Sequence, residues 1–141
     1  RPSVSWKAEM AASVILPNKN VIRAVYRRQQ ETFGGTEMDP DESRLGAALA
    51  WPRLMVSSEG GSDVFEVTVS LLTGLLGEKP FPENNRRTAF MLAVLTLRRN
   101  GWILDISNDE ALRLMMALSM DNITEEKATD FLRRKSVSEA G

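Results

Sequence analysis

Residues 78–90, EKPFPENNRRTAF, bring together the side chains of this sequence best suited to hold and move an anionic group. Asn84, Asn85, Arg86 and Arg87 follow one another, all of them hydrogen-bond donors, and an apolar run begins directly after them. A helix starting at Asn84 or Asn85 turns the free backbone amides of its first turn toward the same space, where the dipole favours an anion. Arginine at that end opposes the dipole, so the pair needs another benefit. Two are open. In the first, amides and guanidiniums converge on a polyphosphate, with bidentate geometry available to the arginines. In the second, Arg86 and Arg87 pair with carboxylates on a solvated face, and Asn84 or Asn85 is only the helix cap. Glu83 is equally open. It can hold a divalent cation that bridges phosphates, since magnesium takes few protein oxygens and keeps its waters, or it can neutralise an arginine.

Composition narrows the chemistry around that stretch. The chain has neither histidine nor cysteine, which removes the commonest general base, the commonest zinc ligand, any thiolate nucleophile and any disulfide framework. Lys plus Arg number 18 against 19 Asp plus Glu, a net charge of -1 that gives no general reason to expect nucleic acid as a partner. No apolar run approaches the roughly 20 residues of a membrane span, and the opening residues do not resemble a secretory signal. No membrane and a cytoplasmic location are therefore expected. With 141 residues, 43% of them apolar, the sequence fits one domain over 1–141 that buries about two-thirds of its extended surface.

The elements that must position the polar stretch are helical. Apolar residues recur at spacings of three and four, and no useful length alternates with period two. An all-α bundle of about six helices follows, with helices expected over 3–15, 20–33, 40–51, 62–77, 85–100, 108–120 and 124–134. The stripe over 3–15 is loose. Gly34-Gly35 stops the second helix, Asp39 with Pro40 at the first helical position starts the third, and Pro52 should end it near Trp51. Ser62 is the expected cap of the fourth helix. Ser107 with Glu110 forms a capping box, and Thr124 caps the last helix. Helices 62–77 and 85–100, apolar over much of their circumference, flank the polar loop and form the middle of the domain. Residues 102–106 read as a short extended or irregular link, and the polar tail from Lys135 as frayed.

In their order, Phe81, Glu83, Asn85, Arg86, Arg87, Thr88 and Ala89 resemble the signature of the Fic/Doc family, and the basic pair with Thr88-Ala89 and LTLRRNG at 95–101 is most similar to its Doc branch. The likeness extends to VFEVTVSLL at 64–72 and to the ETFGG turn at 31–35. It implies an ATP-like nucleotide over the loop and transfer of a phosphoryl or nucleotidyl group to a protein hydroxyl. By the same resemblance Glu83 is the magnesium ligand, Asn85 holds phosphate oxygens with Asn84 and Thr88 beside it, and Arg86 and Arg87 line the anion hole. Phe81 anchors the loop. The Doc branch further implies a kinase acting on a Ser or Thr hydroxyl of a translation factor, restrained by a small antitoxin whose tail folds onto it. The Fic branch implies AMP transfer instead.

Lys79 departs from that pattern. It stands two residues before Phe81, where the family carries its catalytic histidine. Lysine as a residue type, with a reference pKa of about 10.4, is a poor base for a hydroxyl proton at neutral pH, though its charge can reinforce phosphate binding. Lys79 and Arg87 are thus the candidate catalytic residues, and ATP and Mg2+ the implied cofactors. A protein that binds nucleotide or a partner without turnover is the competing expectation. Elsewhere, Trp6, Trp51 and Trp102 are expected to be part of the core, and Met115 and Met116 to fill it. Arg98-Arg99 and Arg133-Arg134 come late in helices, where they offset the dipole.

Overall fold

A computed structural model of the protein describes residues 14–57 and 61–139. Among these residues six helices are present: α1 (Lys19–Phe33), α2 (Glu42–Ser57), α3 (Val64–Glu78), α4 (Asn85–Arg99), α5 (Asn108–Ser119) and α6 (Glu125–Lys135). The fold is an all-α bundle, with one minor addition. Strands β1 (Trp102–Leu104) and β2 (Ser136–Ser138) pair antiparallel, Ile103 opposite Val137. The expected helix over 3–15 lies almost wholly outside the described residues, and Val14 and Ile15 at its end are not helical.

Helix α3 is the axis. Its broad apolar surface buries Val64, Phe65, Val67, Val69, Leu71, Leu72, Leu75 and Leu76, and α2, α4 and α6 pack around it. The approach of α2 is close enough that a Cβ on Gly74 would run into the Ala48 carbonyl, so glycine is needed at that crossing. From α4, Ala89, Leu92, Ala93 and Leu97 complete the core. Burial of eight large α3 side chains at roughly 1.5–3 kcal/mol each explains why this helix, rather than its propensities, organises the domain.

Several local expectations are corrected. Asp41, not Asp39, caps α2: its carboxylate accepts from the Arg44 amide at 3.0 Å, and its own amide donates to the Pro80 carbonyl at 2.8 Å. That last bond ties the start of α2 to the polar loop. Pro52 does not end α2, which continues to Ser57 with Pro52 buried inside it. Packing of α2 along α3 outweighs the one backbone hydrogen bond that proline removes. Asp63, one residue beyond Ser62, caps α3 in a full capping box with Glu66. The capping box at Ser107 and the cap at Thr124 are present as expected.

The tail after Lys135 is not frayed. Pairing with β1 holds it, and Arg98 reaches Glu139 at 3.2 Å. Arg133 goes to Asp63, Nη2 to Oδ2 at 2.6 Å, and so bolts α6 to the start of α3. Trp102 meets the edge of Phe65, ring centroids 5.1 Å apart, and seals α3 against β1. Trp51, expected to be partly in the core, is instead 63% exposed on α2. Trp6 lies outside the described residues.

Candidate functional site

The loop between α3 and α4 begins and ends on residues with left-handed backbone. Lys79 ends α3 with φ 48, its amide donating to the Leu75 carbonyl at 3.0 Å. Asn84 precedes α4 with φ 58. Between them Phe81 is buried and stacks on Tyr26 of α1, with centroids 5.0 Å apart and planes 17° from parallel. An aromatic plug at mid-loop and a reversal at each end give a short segment one shape. Asn85 reinforces it, accepting from the Phe81 amide at 3.1 Å and donating to the Phe81 carbonyl at 2.7 Å.

Asn84 caps nothing. Its side chain accepts from no backbone amide of the first turn of α4 and points back to α1, where Nδ2 donates to Gln30 Oε1 and to the Gly34 carbonyl at 3.2 Å. Its Oδ1 accepts from Arg87 Nη1 at 3.2 Å. As a result, the amides of Asn85, Arg86 and Arg87 meet no acceptor among the described residues. Thr88 is the first whose amide is satisfied, by the Asn84 carbonyl at 2.9 Å.

Beside this helix start lies a cavity of about 950 Å³, open to solvent. Lys79, Asn84, Asn85, Arg86 and Arg87 line it together with Leu76, Phe90, Leu112, Met115 and Met116, and no carboxylate is in the wall. Neither Arg86 nor Arg87 forms an ion pair with a carboxylate among the described residues. The Arg87 guanidinium lies over the ring of Phe33, 4.1 Å from Cζ to the centroid. Three cationic side chains and three unclaimed amides therefore border one space, an arrangement that attracts a multiply charged anion.

The remaining candidates are placed differently. Thr88, expected among the binding residues, is fully buried, whereas the other residues of that expected set line the cavity. It sits one helical turn past Asn84, on the face that α4 turns to the bundle. Its hydroxyl has no partner. Asn84 and Asn85 border the cavity, but their amide groups are spent on holding the loop. Glu83 is exposed and outside the cavity wall; its carboxylate lies near Gly35 and Tyr26 and makes no hydrogen bond or ion pair among the described residues. Burial first, and then the Glu83 carboxylate, raise the Tyr26 hydroxyl above its ordinary pKa.

No group of three or more acidic side chains among the described residues could hold a metal alone. Glu83 is the acidic residue of the loop between Lys79 and Asn84, and magnesium as a class takes few protein oxygens. Sequence reasoning did not find Tyr26, Gln30, Phe33 and Gly35. They lie about 50 positions upstream of the loop they touch, and the local signals were the Gly34-Gly35 helix stop and the likeness of the ETFGG turn at 31–35.

No family model matches the sequence. Over 102 residues, 72% of this chain, the sequence is 30% identical to the protein kinase doc of Escherichia phage P1, and the match covers 80% of that protein. No helix among the described residues is long and apolar enough to cross a membrane. With that similarity, the all-helical bundle and the loop between α3 and α4 in hand, this chain belongs to the Fic/Doc family.

Proposed function

We propose that the protein binds the phosphates of ATP at the start of α4 and passes the γ-phosphoryl group to a Ser or Thr hydroxyl of a protein such as a translation factor, at a rate lowered by Lys79. The observation that carries this reading is the cavity wall itself, where Lys79, Arg86 and Arg87 face one space beside free amides with no acidic side chain among them. The apolar side chains in the wall, Phe90, Leu112 and Met116 among them, offer a nucleoside contacts that inorganic phosphate would not need. Glu83 is the residue to hold Mg2+, which when bound would neutralise charge between the phosphates. The similar P1 protein is named as a kinase, which favours phosphoryl over nucleotidyl transfer. A small antitoxin folding on the domain belongs to the same reading.

In the transfer, the substrate hydroxyl oxygen bonds to the γ-phosphorus, the bond to the β–γ bridging oxygen breaks, ADP leaves, and the hydroxyl proton passes to solvent. Charge on the transferring group spreads over its oxygens, and fixed cations and amides stabilise it without reorganising. Of the three cations, Arg87 is held between Asn84 and Phe33. What the site lacks is a base. A positioned general base contributes about 10²–10⁴-fold, which is the expected deficit with lysine at position 79.

Restoring the base tests the proposal. Backbone at φ 48 tolerates histidine, so Lys79→His should fold. With γ-labelled ATP and a cell extract, the unaltered chain should label a protein slowly, and Lys79→His should label it about 10²–10⁴-fold faster. Label transferred from α-labelled ATP instead would establish adenylyl transfer. Transfer by Lys79→His alone would make the native chain a binding protein, a reading that the lysine in the cavity wall favours. Absence of transfer by both, together with no binding of ATP, would overturn the proposal.

A further inference from the structure

Helix α1 ends in a turn that does more than terminate it. Gln30 Nε2 donates to the Thr36 carbonyl at 2.7 Å while Gln30 Oε1 accepts from Asn84, so turn and loop share one side chain. Gly35, at φ 137, lies so close that a Cβ there would run into Gln30 Nε2 and Glu83 Oε2. Phe33 caps this arrangement, 53% exposed, with its ring under the Arg87 guanidinium. Half in water, this phenylalanine lays one face of its ring against Arg87.

A long arginine side chain is costly to immobilise, because it carries several freely rotating bonds. Here one face of the guanidinium rests on an aromatic ring and Nη1 is held by Asn84 Oδ1. The other N–H groups have no partner among the described residues, and Arg87 is part of the cavity wall. Asn84 can offer Oδ1 because Gln30 and Gly34 hold its other end.

We propose that Phe33 is a positioning residue of the anion site, holding Arg87 through the face of its ring, and that the α1 exit turn is a structural half of that site. This role rests on the phosphate-binding reading above. Calorimetric titration of the full chain with inorganic tripolyphosphate tests it without requiring turnover. Phe33→Leu keeps the bulk and removes the π face, and should weaken binding about two- to five-fold. Phe33→Trp should restore binding to the native level or better. In an Arg87→Ala background, where binding persists through Lys79 and Arg86, Phe33→Leu should cause no further loss.

Thermal melting of each variant should stay close to that of the unaltered chain, as expected for an exposed side chain. Equal binding by the unaltered chain and Phe33→Leu would overturn the positioning role alone. So would an equal loss from Phe33→Leu with and without Arg87. Failure of the unaltered chain to bind tripolyphosphate would overturn the site and this role together.

Discussion

Helices α3 and α4 are equally long, 15 residues each, and lie side by side, yet they begin in opposite ways. Asp63 opens α3 in extended conformation. Its carboxylate accepts from the Glu66 amide at 2.9 Å and takes Arg133 on its other oxygen, and Glu66 returns a bond to the Asp63 amide at 3.1 Å. A negative charge stands where the dipole wants one, and it is buried only because it is fully paired. Asn84 opens α4 with left-handed backbone, turns its amide away, and is followed by two arginines. The first start closes a structure. The second leaves donors and positive charge unspent, and proteins carry such unfavourable local choices where a ligand compensates them.

Substitutions can break this contrast. The largest effect is expected at Asp63. Asp63→Ala removes a cap, a capping box and the partner of Arg133, and should lower unfolding stability by about 2–3 kcal/mol in urea titration while leaving tripolyphosphate binding intact. A smaller effect of opposite sign is expected at Arg86. Arg86→Glu places an acid in the first turn of α4 and should raise stability by about 0.3–1 kcal/mol, yet weaken tripolyphosphate binding at least about tenfold. A stability loss at Arg86→Glu would mean that the arginine serves the fold rather than a ligand.

The smallest effect sharpens the comparison with a third helix start. Glu110 in the Ser107 capping box is held below the ordinary carboxylate range, first by the Ser107 amide and then by Lys135. Because its folded pKa is depressed, its contribution is present above the unfolded value and is lost as pH falls through the depressed one. Glu110→Gln should therefore flatten the decline of melting temperature with acidification below the ordinary glutamate range, an effect that high salt reduces because Lys135 is partly exposed.

Features set within a few residues were legible. Ser107 with Glu110, and Thr124, could be read as caps because the bond they make spans three positions. The polar loop was legible for the same reason, since its residues are neighbours in sequence. Asp63 was missed by one position because Ser62 is chemically as good a cap, and what selects Asp63 is Arg133, 70 residues away. Pro52 misled because its local preference was outweighed by the packing of α2 on α3. Residues 102–106 could be read as extended, but strand β2 and its pairing with β1 could not, because neither alternates long enough to signal a partner more than 30 residues distant.

Sequence alone determined the helical periods, most helix boundaries, and the sign and density of charge at residues 79–87, since each depends on contacts within one or two turns. Tertiary structure decided where those side chains went. It sent Thr88 into the core, spent Asn84 and Asn85 on the loop itself, and brought Phe33 and Gln30 of α1 against Arg87 and Asn84. These outcomes rest on packing between segments some 50 residues apart, whose free energy depends on how the whole core closes.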